Sequence, residues 1–225
     1  MLILLDTANI EHIKKGIEYY PIDGVTTNPS IISKENKDFL PLLKEIREII
    51  GKDKALHVQA LGTKAEDIIE EALYINDKIG GNLYIKIPVI TEGIKAMKIL
   101  SDKKINITAT AVFTPLQALM AAKSGAFFVA PYVNRLDNIS GNGIKVVSDI
   151  SELFKIHNLN TKILAASFKN VEQVYNASLA GSHAATVPFN LIEDMLYHPL
   201  TNKSVDKFID DWENVYGKNK RINHI

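Results

Sequence analysis

Eight short runs with strand character recur along this chain: Leu2–Asp6, Gly24–Asn28, Ala55–Leu61, Leu83–Val89, Ile105–Phe113, Phe127–Val133, Lys162–Phe168 and Ala184–Phe189. Helical patterns fill the gaps. In Phe39–Ile50, Ala65–Ile79, Gly93–Leu100 and Ile144–Ile156, apolar residues recur at three- and four-residue spacing with charges on the other face. Strands alternating with helices build βα units and a parallel sheet, and eight such units predict an α/β fold, a closed (β/α)8 TIM barrel. An open doubly wound sheet is the alternative.

A length of 225 residues with 46% hydrophobic content suits one sizeable core. No Pro/Gly/Ser linker, low-complexity tract or long charge block marks a boundary, so residues 1–225 are expected to form a single barrel domain. After the eighth run and a short helix near Leu191–Tyr197, His198-Pro199 breaks the chain, and an additional C-terminal helix is expected at about residues 204–216. Its apolar residues Val205, Phe208, Ile209, Trp212, Val215 and Tyr216 form one stripe, which can pack on its own barrel or on a neighbouring subunit. The basic tail from Lys218 to Arg221 reads as a solvated terminus.

Charge is balanced, Lys+Arg 26 against Asp+Glu 26, so the chain sets up no global field for nucleic acid or for an anionic membrane. Any anionic ligand must be met locally. The absence of cysteine excludes disulfides and thiolate chemistry and agrees with a reducing compartment. The opening Met-Leu-Ile-Leu-Leu-Asp has no basic region before its apolar run and meets a charge at Asp6, unlike a signal peptide or a membrane span. A cytoplasmic protein with neither nucleic-acid nor membrane partners is expected.

Within this frame Lys86 is out of place. It stands alone in Asn82-Leu-Tyr-Ile-Lys-Ile-Pro-Val89, an otherwise apolar buried strand. An ammonium there must be paired, reach water at the strand end, or lose its proton. The last outcome makes a nucleophile, since an amine tuned to about 7–8 can attack a carbonyl and form a Schiff base, an electron sink for carbon–carbon bond cleavage. The plainer alternative is a strand-end lysine with its head in solvent.

Barrel chemistry occurs at the C-terminal ends of the strands, and these ends carry the chain's unusual polar residues. The first run ends in Asp6, the second in Thr26-Thr27-Asn28; the third carries Gln59, the fourth Lys86, the fifth Thr108 and Thr110. The sixth contributes Tyr132, Asn134 and Arg135, and the seventh Ser167 followed by Lys169. Each alone could be a helix cap or a β-former, but together they contain the parts of a Schiff-base aldolase. Lys86 would form the iminium and Asp6 would hold ketose hydroxyls and move protons; Gln59, Thr110 and Tyr132 would fix a water for proton transfer. Thr26 and Asn28 can bind sugar hydroxyls. Arg135, Ser167 and Lys169 offer two cations and a hydroxyl to a phosphate.

These residues lie in stretches that resemble the small transaldolase family, the short barrels that include fructose-6-phosphate aldolase and the short transaldolases. The matching stretches are Leu5-Asp-Thr, Gly24-Val-Thr-Thr-Asn-Pro-Ser-Ile-Ile32, Ile85-Lys-Ile-Pro-Val89, Thr91-Glu-Gly, Ala109-Thr-Ala-Val-Phe113, Val129-Ala-Pro-Tyr-Val-Asn-Arg135 and Leu164-Ala-Ala-Ser-Phe168. The resemblance implies that Lys86 is the Schiff-base lysine and Asp6 an acid/base residue, with sugar phosphates as substrates and no cofactor. It also implies a homo-oligomer, a ring of several subunits. Gln59 and Tyr132 match the aldolase, where transferring members resemble one another in having glutamate and phenylalanine. The expected reaction is therefore cleavage of fructose 6-phosphate to dihydroxyacetone and glyceraldehyde 3-phosphate, and the reverse addition. Phe113 and Arg135-Leu-Asp-Asn-Ile-Ser140 look closer to the short transaldolases, which makes transfer of a dihydroxyacetone unit from sedoheptulose 7-phosphate or fructose 6-phosphate to an aldose phosphate the alternative.

Other chemistries find less support. His12, His57, His157, His183, His198 and His224 are scattered without metal-ligand spacing, so no metal is expected and structural or surface roles are read for them. Gly141-Asn-Gly143 reads as a turn rather than an anion site, and no full Rossmann or P-loop pattern exists. A non-catalytic sugar-phosphate-binding barrel is the rival from another class; Lys86 together with Asp6 argues against it.

Overall fold

The computed structural model describes residues 1–224. Eight parallel strands close on themselves in sequence order: β1 (Leu2–Asp6), β2 (Gly24–Thr26), β3 (Ala55–Gln59), β4 (Leu83–Pro88), β5 (Ile107–Val112), β6 (Phe128–Pro131), β7 (Lys162–Ala165) and β8 (Ala184–Val187). β8 pairs with β1, Leu2 opposite Ala184 and Leu5 opposite Val187, so no edge strand remains among the described residues. Around the barrel run α1 (Ile10–Tyr19), α2 (Pro29–Lys34), α3 (Phe39–Ile50), α4 (Ala65–Ile79), α5 (Thr91–Asp102), α6 (Pro115–Lys123), α7 (Val133–Asp137), α8 (Gly143–Ile156), α9 (Val171–Leu179) and α10 (Phe189–Leu196). The closed barrel, and not the open sheet, is the architecture.

The helix patterns carry over closely: α3 and α4 span the expected residues, and α8 begins one residue earlier. Their buried stripes show why. In α3 Leu42, Leu43, Ile46 and Ile50 face the strands, and each such aliphatic side chain stabilises the fold by about 2 kcal/mol. Helix starts at the C-terminal side of the barrel are fixed by side-chain caps: Asn28 on Ile31, Thr114 on Gln117, Asn142 on Lys145 and Asn170 on Gln173. Gly93 lets α5 begin against the end of β4, since a Cβ there would lie 2.1 Å from the Pro88 carbonyl oxygen.

The strands differ from expectation mainly at their C-terminal ends, though β5 starts at Ile107 rather than Ile105 and β6 at Phe128 rather than Phe127. Seven of the eight runs leave the ladder early, β4 and β5 by one residue and the other five by two or three: β2 ends at Thr26 rather than Asn28, and β7 at Ala165 rather than Phe168. The residues beyond are those that turn over the barrel mouth. β5 also contains a register shift between Ala109 and Val112, where Ala111 adopts φ +55°. A non-glycine residue in that region is strained, and the extra residue redirects the strand end.

Two compact units are present, Met1–Leu191 and the segment from Ile192 onward. In the second, α11 (Pro199–Tyr216) starts earlier than the expected helix, because Pro199 occupies its first turn and the His198 ring nitrogen accepts from the Leu200 amide. None of its residues is buried within this chain; Phe208 is 68% exposed and Ile209 52%. Trp212 lies against Tyr216, ring centres 4.2 Å apart, and donates to the Lys220 carbonyl.

Candidate active site

β4 places Lys86 with its side chain inside the barrel, 5% exposed. One layer below, on the same face of the strand, lies Tyr84, part of an apolar floor with Leu4, Phe128, Leu164 and Ala184. Above it a cavity of about 110 Å³ opens at the C-terminal mouth. Asp6, Thr26, Asn28, Lys86, Tyr132, Arg135 and Ser167 line it, together with Ala130, Leu164, Ala166 and Thr186. Seven of the eleven residues expected at the site thus meet in one small space.

The Lys86 amine donates to the Thr27 carbonyl oxygen at 2.7 Å. Burial pushes its pKa down, and the nearby Asp6 carboxylate pulls part of the way back. Asp6 shows the mirror image. Burial pushes the carboxyl up, while the Lys86 charge and the Thr26 hydroxyl hold it down. Part of the Asp6 surface faces the cavity, but protein surrounds it, and that enclosure sets the desolvation. Amine and acid are displaced toward each other, the direction that eases loss of the amine's proton and uptake of one by the carboxyl.

A hydroxyl chain orients the carboxylate. Thr26 donates to Asp6 Oδ1 at 2.7 Å, and the Thr186 hydroxyl meets the same Thr26 oxygen. A hydroxyl has one proton, so when Thr26 donates to Asp6 it must accept from Thr186. Thr186 was not singled out from the sequence; in a strand it reads as an ordinary β-former.

On the opposite wall the Thr110 and Tyr132 hydroxyls are 2.9 Å apart. The bulge at Ala111 lies just after Thr110. The edge of Phe113 meets the Tyr132 ring at 5.6 Å, and the Arg135 guanidinium lies 4.9 Å from the ring centre. Arg135, in the middle of α7, lines the cavity with Ser167, which holds φ +63° two residues past the end of β7.

Four expected residues stand outside the cavity wall. Thr110 reaches it only through Tyr132. Gln59 pairs in register with Lys86, so both leave the sheet on one face, yet Gln59 does not line the cavity. Asn134 turns its side chain to Gln173, and Lys169 is exposed, its backbone amide donating to the Gln173 side chain. Asn28, though at the wall, spends Oδ1 on the Ile31 amide, which leaves its amide nitrogen for a ligand.

His57 lies below the site. Fully buried, it stacks on Tyr84 at 4.6 Å and meets the Thr108 hydroxyl through Nδ1 at 2.9 Å, while Nε2 has no partner among the described residues. Burial, then the Lys86 charge, holds its pKa well below the usual value, so it is neutral. Among the described residues no three His, Cys, Asp or Glu side chains are grouped to hold a metal ion, and no helix is long and apolar enough to cross a membrane.

The family described as Transaldolase/Fructose-6-phosphate aldolase matches residues 3–224. A probable transaldolase of Brachyspira hyodysenteriae is 44% identical over 97% of this chain and 100% of its own length. One from Clostridium perfringens is 41% identical with the same coverage, and one from Clostridium botulinum 42% identical over 98% of this chain and all of its own. Dihydrodipicolinate synthase from Thermotoga maritima shares the fold at 12% identity, with a TM-score of 0.62 over 86% of this chain and 72% of that one. From the match along nearly its whole length, this chain belongs to the transaldolase/fructose-6-phosphate aldolase family.

Proposed function

We propose that the chain is a Schiff-base transaldolase, taking a dihydroxyacetone unit from a ketose phosphate and passing it to an aldose phosphate. The observation that carries this is the buried Lys86 amine in the cavity, its pKa lowered by enclosure, with the Asp6 carboxyl lining the same space. The neutral amine attacks the ketose C2 carbonyl; the carbinolamine loses water and becomes an iminium. Asp6 takes the C4 hydroxyl proton as the C3–C4 bond breaks, the bonding electrons pass to the iminium nitrogen, and an aldose phosphate leaves. The enamine on Lys86 then adds to the acceptor carbonyl, and water hydrolyses the new imine. Thr26 and Asn28 bind sugar hydroxyls, while Arg135 and Ser167, with Lys169 nearby, receive the phosphate. The full-length relatives, named as probable transaldolases, weigh toward transfer.

A second reading, the cleavage of fructose 6-phosphate without an acceptor, is favoured by one observation, the Tyr132 hydroxyl held by Thr110. That phenol, with Gln59 opposite Lys86 in register, can hold the water that protonates the enamine and releases dihydroxyacetone. Assay of fructose 6-phosphate turnover with and without erythrose 4-phosphate separates the two: dependence on acceptor supports transfer, and steady release of dihydroxyacetone without it supports cleavage.

The exposed apolar stripe of α11 supports a homo-oligomer in which that face is covered by a second copy. A cytoplasmic setting accords with a chain that has no cysteine.

A further inference from the structure

Tyr132 and Arg135 arrive at the cavity from the end of β6, Ser167 from the end of β7, and both segments leave the barrel ladder before reaching it. Three backbone bonds continue the pairing: Ala166 donates to the Pro131 carbonyl at 3.0 Å, Val133 to the Ala166 carbonyl at 2.9 Å, and Asn134 to that of Ser167 at 2.8 Å. Beyond these, one side chain spans the gap. Gln173, in the first turn of α9, accepts from the Lys169 amide through Oε1 at 2.7 Å. Its Nε2 donates to Asp137 Oδ2 at 2.7 Å and to Asn134 Oδ1 at 3.3 Å. Both N–H groups and the carbonyl of one planar amide are therefore engaged, on two different segments.

The brace is itself held. Asn170 Oδ1 accepts from the Gln173 backbone amide at 2.9 Å, and Asp137 Oδ1 accepts from the Gly143 amide at 2.8 Å, which ties in the start of α8. Gly143 allows this approach, since a Cβ there would lie 2.5 Å from the Val133 carbonyl oxygen. α7 is only five residues long and Ser167 is in a conformation costly for a residue with a Cβ, so neither segment holds its place by local structure alone.

We propose that Gln173 is a positioning residue for the phosphate end of the cavity, its amide clamping the Tyr132–Asp137 segment to the Ser167–Lys169 turn so that Arg135 and Ser167 converge on one anion. This rests on the reading of Arg135 and Ser167 as phosphate-binding groups. Gln173 touches no substrate; it acts through the residues it joins.

The test measures acceptor KM with fructose 6-phosphate saturating, for erythrose 4-phosphate and for unphosphorylated erythrose, alongside the borohydride-trapped adduct of dihydroxyacetone and the melting temperature. Gln173→Met keeps the length and removes the bonding. It is expected to raise KM for erythrose 4-phosphate about tenfold, the scale of a lost charge-assisted bond, while changing that for erythrose less than about twofold and leaving adduct formation unaltered. Gln173→Glu and Asp137→Asn should each raise the phosphate-dependent KM. Combined, they exchange donor and acceptor: the new carboxylate at position 173 accepts from both the Lys169 amide and the new amide at position 137, which still accepts from Gly143. The double variant should recover most of the loss. Equal losses for both acceptors, or a double variant no better than its parents, would overturn the inference. Arg135→Ala is the control. If it selectively weakens erythrose 4-phosphate while Gln173→Met does not, Gln173 alone is misassigned; if it weakens both acceptors alike, the phosphate reading falls and the inference with it.

Discussion

The Lys86 amine donates to the backbone carbonyl of Thr27, at 2.7 Å, reaching from β4 past β3 to the end of β2. That carbonyl belongs to the first residue after the β2 ladder ends. The early end of β2 and the seat of the amine are thus one feature: the strand stops, and its next carbonyl receives a side chain. A neutral amine satisfies this bond with one N–H and keeps its lone pair for the cavity.

Asp6 and Lys86 make opposite demands on pH. Burial lowers the amine's pKa and the Asp6 charge partly restores it. Removing that charge lets the amine lose its proton more easily, so in Asp6→Asn the acid limb of dihydroxyacetone adduct formation should move to lower pH even as turnover falls. Borohydride trapping across a pH series measures this. A limb that stays in place or moves to higher pH would show that the Asp6 charge does not act on Lys86.

His57 gives the fold an acid sensitivity. Its folded pKa lies well below the ordinary histidine value of 6.5, so between the two values the unfolded chain binds more protons. Stability from this group is complete above about 6.5 and is lost as pH falls from there toward the folded pKa. His57→Phe keeps a ring on Tyr84 and removes the unpartnered Nε2, but breaks the Thr108 contact, worth about 1 kcal/mol. Its melting temperature at pH 7 should stay close to that of the unaltered protein, and its fall between pH 7 and pH 5 should be smaller. An equal fall in both would assign the acid sensitivity elsewhere.

The barrel was legible because eight apolar runs and the helices between them obey two distinct periods, seen in the agreement of Phe39–Ile50 and Ala65–Ile79 with α3 and α4. The strand ends were not. Phe168 continues the apolar pattern of β7 after the ladder has stopped at Ala165, because it is buried outside the sheet. Lys86 was legible as a charge in a buried strand, and Asp6 as a polar strand end. Thr186 was not, since a hydroxyl inside the barrel and a β-former leave the same mark in the sequence. Gln173 was invisible for another reason: its three partners, Asn134, Asp137 and Lys169, come together only in space.

The Thr110–Tyr132 hydroxyl pair should govern release of the intermediate. Tyr132→Phe leaves the ring against Phe113 and Arg135 but removes the phenol. Acceptor-free formation of dihydroxyacetone should fall about 100-fold, within the range for losing a positioned acid–base group, while transfer to erythrose 4-phosphate is retained; adding Gln59→Glu should keep or raise transfer. A loss shared equally by release and transfer would make the phenol a general structural element.

The α11 stripe should be an interface. Phe208, 68% exposed, lies near its middle. Sedimentation of the intact chain should show a multi-subunit species, and Phe208→Asp should shift it toward monomer without lowering the melting temperature of the barrel by more than a few degrees. An intact protein that sediments as a monomer removes the interface.

The most direct measurement is the site of covalent attachment. Reduction with borohydride in the presence of dihydroxyacetone, followed by proteolysis and mass spectrometry, should place the added mass on the peptide containing Lys86, and Lys86→Met should abolish both the adduct and turnover. Labelling at another lysine, or turnover that survives Lys86→Met, would contradict Schiff-base catalysis at this site.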